Sequence, residues 1–250
     1  MNLYRVLPPP SQAFDLGIEQ DLAFVAADVT PPATEWVRAV MVTNALGNTE
    51  GIDGTSGSLS AGADRTLLAL QRVAFDVIVM GSKTAKLERI PVPKLTPLAV
   101  VTATGDMNGH QLLVPPDGHL LILTRPEGAG KVQNSLGDTH AEILTVEGEG
   151  PIPASEIRDT LAKRLGAKTF LLEGGRTLWE SWAPLIDEVA LSVTPPPNDN
   201  HRGIPEWWPS DSSLWQLTSL MTDDAKMLYH RYQTGVRGAP STVTDSSALR

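Results

Sequence analysis

The chain has 250 residues, 41% of them hydrophobic, which is enough to bury the core of one domain without covalent cross-links. The absence of cysteine excludes disulfides, thiolate zinc sites and a cysteine nucleophile, and is typical of a cytoplasmic protein. The formal net charge of −9 argues against nucleic acids and anionic membranes as partners, because both require a basic surface.

Residues 1–34 are rich in proline, with Pro-Pro-Pro at 8–10 and Pro-Pro at 31–32, and predict an irregular arm that lies on the main domain. The first residues lack the apolar stretch of a signal peptide. No run in the chain approaches the roughly 20 apolar residues that span a bilayer. We therefore expect no membrane partner and a cytoplasmic location.

The segment 35–233 alternates apolar runs with amphipathic ones and predicts a single domain. Strands are expected at 35–44, 76–81, 97–104, 119–124, 141–148, 168–173, 187–194, 215–224 and 226–233. Helices are expected at 62–76, 82–89, 153–167 and 176–185, the third ended by Gly166. This alternation predicts an α/β fold, a mostly parallel central sheet with helices on both faces. The last two runs predict an antiparallel C-terminal edge, and the tail 234–250 lacks apolar periodicity.

Two strand ends carry glycine where a helix is about to begin. Gly174 and Gly175 follow the run Leu-Leu-Glu, and Gly81 precedes Ser-Lys-Thr. In open α/β sheets ligands bind at the carboxyl ends of strands, and glycine lets a phosphate approach the backbone. A plain turn explains each glycine pattern equally well. Two such places in one sheet favour a ligand with several phosphates, such as a dinucleotide.

Several other chemistries have no support in the sequence. The dinucleotide and P-loop fingerprints are both missing. The five histidines are scattered and form no metal-ligand motif, so we expect no metal site. No G-x-S-x-G elbow is present, which disfavours a serine hydrolase. Trp207, Trp208 and Trp215 are expected to pack at a sheet edge or a subunit interface.

Six segments, in order along the chain, resemble the pyrimidine reductase family of riboflavin biosynthesis, whose fold is dihydrofolate-reductase-like. They are WVRAVMVTNALG, IDGTSGSLSAGADR, RVAFDVIVMGSKTAKLER, PLAVVT, LLEGGRTLWESWAPLIDEVALSVTP and MTDDAKMLYHRY, within residues 35–232. The N-terminal extension makes the chain similar to the stand-alone actinobacterial members. The zinc deaminase domain that is fused to many family members requires cysteine ligands, and this chain has none.

The resemblance implies an NADPH-dependent reductase, a homodimer, that opens the ribose of a phosphorylated aminopyrimidine by hydride delivery. It implies cofactor contacts from Gly81, Thr84, Thr102, Gly174, Gly175 and Thr177. On the substrate side it implies Ser56, Arg72 as a phosphate clamp, and Glu173 as the catalytic carboxylate. Arg72 and Glu173 also have purely structural interpretations: Arg72 as a solvated or ion-paired helix residue, and Glu173 as a helix cap.

Two departures from the family pattern affect the predicted site. The family reads S-L-D-G after the first strand, whereas this chain reads Asn-Ala-Leu-Gly at 44–47, which puts Leu46 or Gly47 at the aspartate position. Asn44, Glu50 and Asp53 are the polar residues that can substitute, and Asn44 is taken as a substrate contact. Lys83 replaces the second glycine of the first turn, where it either crowds a pyrophosphate or pairs with it. A reductase of another pterin- or pyrimidine-like substrate, or an inactive nucleotide-binding homologue, therefore stays open.

Overall fold

The computed structural model of the chain describes residues 1–195 and 215–235. Predictions for Trp207, Trp208 and residues 236–250 lie outside these ranges. The strands are β1 (Asn2–Leu7), β2 (Gln12–Asp15), β3 (Trp36–Asn44), β4 (Val77–Gly81), β5 (Ile90–Pro91), β6 (Leu98–Val101), β7 (Leu112–Leu113), β8 (Leu120–Thr124), β9 (Glu142–Thr145), β10 (Thr169–Glu173), β11 (Glu188–Thr194), β12 (Trp215–Asp223) and β13 (Leu228–Thr234). The α-helices are α1 (Glu19–Asp28), α2 (Asp64–Ala74), α3 (Ser82–Leu87), α4 (Ala129–Ser135), α5 (Ala154–Leu165) and α6 (Arg176–Trp182). Among the described helices, none has the length and apolar character needed to cross a membrane.

Eleven strands form one sheet in the order β2-β1-β12-β13-β11-β3-β10-β4-β6-β8-β9. Neighbouring strands from β11 through β9 run parallel, and those from β2 through β11 run antiparallel. The predicted α/β fold with a mostly parallel centre and an antiparallel C-terminal edge is confirmed. The parallel strands are buried on both faces, which is why they appear in the sequence as continuous apolar runs.

Helices cover both faces of the sheet, as predicted. On one face, α5 and α6 pack against the strands through Leu161, Trp179 and Trp182. On the other face, α3 and α4 contribute Ala85 and Val132 to a second apolar cluster. A third cluster joins α1 and α2 to the antiparallel edge strands. The carboxyl ends of β3, β10 and β4 lie next to one another at the centre of the sheet.

The prediction of an irregular N-terminal segment is wrong for most of its length. Strand β1 pairs with β12 and with β2, and both pairings are antiparallel. Leu3, Phe14 and Val25 are buried in the cluster that α1 and α2 form on the sheet. The three consecutive prolines at 8–10 lie in the connection between β1 and β2, so they mark a turn between two strands.

A buried ion pair links β3 to β11 beneath α2. The guanidinium of Arg38 donates to the carboxylate of Glu188 at 2.6 Å, and both side chains are fully buried. Trp36 donates a further hydrogen bond to Glu188, and the Arg38 guanidinium lies over the ring of Phe75 at 4.9 Å. Asp187 accepts a hydrogen bond from the backbone of Val37 at 2.9 Å. These contacts give Asp187 and Glu188 structural roles.

Candidate active site

A cleft of about 350 Å³ lies at the carboxyl ends of the central strands and continues beneath α2. Sequence-predicted site residues that line it are Ser56, Arg72, Gly81, Thr84, Glu173, Gly174, Gly175 and Thr177. They come from two loops, three helices and two strand ends that are up to 121 positions apart in the sequence (Ser56 to Thr177). The fold therefore brings eight of the ten predicted residues to one place.

The first glycine turn connects β4 to α3 and is open on the side of the cleft. Gly81 has an ordinary extended backbone (φ −86°, ψ 154°), and a Cβ at this position would meet no other atom within 4 Å. The protein's own packing therefore does not require glycine here. Lys83 does not fill the space, because its side chain is 82% exposed, with Nζ 3.7 Å from Oε1 of Glu50.

The second glycine turn connects β10 to α6 directly beside the first. A Cβ on Gly174 would lie 3.4 Å from Oγ1 of Thr84 and 3.3 Å from the side chain of Leu178. Gly175 (φ −81°, ψ −172°) resembles Gly81, because a Cβ there would meet no atom within 4 Å. Since β10 and β4 are adjacent parallel strands, the two turns form a single cradle with a bare backbone on both sides.

Glu173 and Arg72 are paired with each other. Nε and Nη2 of Arg72 donate to the two carboxylate oxygens of Glu173 at 2.7 and 2.6 Å. The side chain of Arg72 is only 17% exposed, and that of Glu173 only 10%. Burial lowers the pKa of Arg72, but the hydrogen bond and charge of Glu173, together with the charge of Glu88, raise the pKa above its ordinary value overall. Arg72 thus stays charged, and its planar fork is occupied by a protein carboxylate.

The loop 45–63 presents different polar groups to the cleft from those of the family pattern. Oδ1 of Asn44 accepts hydrogen bonds from the backbone of Leu46 and Asn48, so this amide stabilises the turn, and Asn44 is not among the lining residues. Asp53 accepts hydrogen bonds within its own loop from Thr55 and Ser58. Of the three polar residues considered as substitutes for the missing aspartate, Glu50 is the one that lines the cleft.

Ser56 lines the cleft, and its position depends on a residue that the sequence did not suggest. The backbone N–H of Ser56 donates to Oε1 of Glu88 at 3.1 Å, across 32 residues of sequence. Glu88 immediately follows α3 and itself lines the cleft. A glutamate after a short helix has no distinctive local pattern, so only the tertiary structure identifies this contact.

Thr102 lies apart from the other predicted cofactor contacts. It follows β6, one residue beyond Val101, which pairs with Gly81. Its side chain is buried, and Thr102 is not among the residues that line the cleft. The structure therefore places Thr102 at the same edge of the sheet as the glycine turns but outside the cleft itself.

The far end of the cleft is built by the N-terminal segment and the C-terminal strand. Arg231 of β13 donates to the carboxylate and to the backbone carbonyl of Asp28, both at 2.6 Å. Asp28 ends α1, so the segment that was predicted to be irregular supplies a wall of the site. These two residues are 203 positions apart in the sequence, and no local signal connects them.

Two further titratable side chains lie where β12 and β13 meet the cleft. The hydroxyl of Tyr229 donates to Asp223 at 2.6 Å, and burial together with this carboxylate raises the pKa of Tyr229. Burial lowers the pKa of His230, although a hydrogen bond to the backbone of Leu191 acts in the opposite direction. His230 is therefore expected to be neutral near pH 7.

Comparisons with solved structures connect this geometry to known proteins. A pyrimidine reductase-like protein from Corynebacterium diphtheriae superposes with a TM-score of 0.64 at 20% identity, over 84% of this chain and 98% of that chain. The chain has the fold of the pyrimidine reductases. A diaminohydroxyphosphoribosylaminopyrimidine deaminase/5-amino-6-(5-phosphoribosylamino)uracil reductase from Thermotoga maritima superposes with a TM-score of 0.58 at 13% identity, over 80% of this chain and 57% of that one.

A riboflavin biosynthesis reductase from Saccharomyces cerevisiae superposes with a TM-score of 0.57 at 10% identity, over 86% of this chain and 99% of that chain. No protein-family profile matches the sequence, and no curated protein matches it by sequence. The resemblance stated from six short segments is thus confirmed for the fold. At these identities the comparisons show the fold alone.

Proposed function

We propose that the protein is an NADPH-dependent reductase of an amino-substituted pyrimidine or pterin-like heterocycle. The observation that carries the proposal is the continuity of the two glycine turns. Gly174 approaches Thr84 so closely that the ends of β4 and β10 form one open cradle. A ligand with phosphates near both turns and a reactive ring farther in suits this shape. The reductases with the same fold support the reaction class.

The residues around the cradle fit a phosphorylated nicotinamide nucleotide. Space for a phosphate exists at Gly81 and Gly175, because a Cβ would meet no protein atom at either position. Thr84 and Thr177 would add hydroxyl groups. Lys83 and Arg176, both largely exposed, lie in the same two turns and would supply positive charge to the phosphates. Bound NADPH would supply the hydride.

The chain's own contribution to the chemistry lies in the second part of the cleft. Glu173 ends β10, so it lies between the cofactor cradle and the space under α2. Arg72 holds both of its oxygens, which fixes the position of the carboxylate. A fixed carboxylate can accept hydrogen bonds from the amino or imino N–H groups of a heterocycle and stabilise positive charge that develops on it. Neighbouring apolar residues, such as Val42 and Leu67, help to exclude water.

Two substrates agree with this proposal. The first is 5-amino-6-(5-phosphoribosylamino)uracil, because it is the substrate that the name of the Thermotoga maritima protein gives. The second is a related pyrimidine or pterin without the phosphate, favoured by the observation that Glu173 already occupies Arg72, the predicted phosphate clamp. An inactive nucleotide-binding homologue would share the cofactor cradle but not turn over.

Titration with NADPH tests the proposal directly. Trp179 and Trp182 lie on α6, which begins immediately after Gly175, so bound NADPH is expected to quench tryptophan emission and to emit by energy transfer. The control is Gly130→Ala, a change in α4 away from the cleft. It should bind NADPH like the wild type. If millimolar NADPH gives no saturable signal, the reductase proposal is wrong. Binding without NADPH oxidation by any aminopyrimidine or pterin would favour the inactive homologue.

A further inference from the structure

We infer that the substrate is an uncharged, amino-bearing heterocycle without a phosphate group. This inference rests on the proposed function and concerns the same cleft. The substrate half of the cleft is defined here by its six charged residues under and beside α2, and these are Asp28, Asp64, Arg72, Glu88, Glu173 and Arg231. Four carboxylates accompany only two guanidinium groups in this half. A phosphate ester of charge near −2 would therefore enter a negative environment.

Both arginines of the substrate half already form ion pairs with carboxylates of the protein. Arg72 makes two hydrogen bonds to Glu173, and Arg231 makes two to Asp28, all between 2.6 and 2.7 Å. Both pairs are mostly buried, because the four side chains are between 10% and 19% exposed. A phosphate could recruit either arginine only by leaving a buried carboxylate without its partner, which is strongly unfavourable.

Two backbone donors in or next to this half are likewise occupied. The N–H of Ser56 donates to Glu88, and the N–H of Ala63, just before α2, donates to Asp223 at 2.7 Å. In each case a carboxylate of the protein takes the place that a ligand anion would require. Within the residues that the structure describes, the remaining cleft cations are Lys83 and Arg176, which belong to the cofactor turns.

The same groups suit a ligand that donates hydrogen bonds. Carboxylates accept only, so Glu88 and Glu173 favour amino and imino groups, such as those of aminopyrimidines and pterins. Apolar side chains from β3 and α2 line the same cleft and suit a flat ring. The charge pattern therefore divides the cleft into a half for the phosphates of the cofactor and a half for a neutral heterocycle.

Calorimetric titration of the protein saturated with NADP⁺ tests this inference. The probes are 5-amino-6-(ribosylamino)uracil, its 5′-phosphate, and 2-amino-4-oxopteridine. We expect at least one uncharged probe to bind about tenfold or more tightly than the 5′-phosphate, because like charges repel across the cleft. Equal or tighter binding of the 5′-phosphate would overturn the inference, and so would failure of both uncharged probes to bind.

Glu88→Gln supplies a second measurement on the same ligands. Removal of this charge should reduce the ratio between the dissociation constants of the 5′-phosphate and the riboside. The control Asp117→Asn removes an exposed charge away from the cleft and should leave this ratio unchanged. An equal effect of both variants would contradict the assignment to Glu88. Failure to bind NADPH would refute the proposed function itself, whereas normal NADPH binding with a preference for the phosphate would refute only this inference.

Discussion

Replacement of Gly175 by alanine is expected to have opposite effects on the stability of the protein and on its affinity for NADPH. Its backbone angles (φ −81°, ψ −172°) are accessible to alanine, and the new Cβ would meet no protein atom within 4 Å. A compatible Gly→Ala change stabilises a protein by about 0.4–1 kcal/mol, because the unfolded chain loses freedom. For a domain of this size that change raises the melting temperature by about 1–4 °C. The variant should therefore be at least as stable as the wild type.

Cofactor binding should change in the opposite direction. If a phosphate contacts the backbone at Gly175, a Cβ displaces it and weakens a hydrogen bond to a charged group, worth about 1.5–3 kcal/mol. The dissociation constant for NADPH should then rise about 10- to 100-fold. Thermal denaturation and NADPH titration measure the two effects, with Gly130→Ala as the control, which gains stability but keeps its affinity. Unchanged NADPH affinity in Gly175→Ala would refute the idea that this glycine admits a phosphate.

Two further variants test Glu173 in the substrate half and His230 in the antiparallel part of the sheet. Glu173→Gln should keep its NADPH dissociation constant within about twofold and slow turnover by at least about tenfold, because the fixed negative charge is lost; an unchanged rate would remove Glu173 from the site. Burial lowers the pKa of His230, so the unfolded chain takes up a proton near pH 6.5 that the folded protein resists, and stability falls as the pH drops below that value. His230→Gln should reduce this loss in urea unfolding between about pH 7.5 and 5, and parallel wild-type and variant profiles would contradict the assignment.

The parallel part of the fold was predictable because its signals are local. Runs such as 76–81 and 168–173 are apolar on both faces, which only a central strand between two helical layers requires. Gly166 ends α5 with φ 71°, a conformation that favours glycine, so the end of that helix is also evident in the sequence. The glycine turns at 81 and 174–175 are local signals of the same kind, because glycine has no Cβ and leaves the backbone accessible wherever it occurs.

The N-terminal segment was not predictable in the same way. Strand β1 is stabilised mainly by its pairing with β12, more than 200 residues later, as in Tyr4 opposite Thr222. Its exposed face carries Tyr4 and Val6, so the alternation of apolar and polar residues expected of a half-exposed strand is blurred. Helix α4 was not predictable from sequence for a similar reason: Val132 is buried against the sheet, and tertiary packing outweighs the weak local preference.

The substrate half shows why a sequence motif alone does not determine which ligand a site prefers. A sequence motif identifies Arg72 and Glu173 as residue types at suitable positions, but they are 101 residues apart, and their pairing with each other is a tertiary fact. An arginine that faces a ligand attracts phosphate, whereas the same arginine neutralised by a buried carboxylate does not. Ser56 and Glu88 repeat the situation with a backbone donor. The charges that a fold has already paired are therefore part of what determines ligand preference, and two chains with the same motif need not share that pairing.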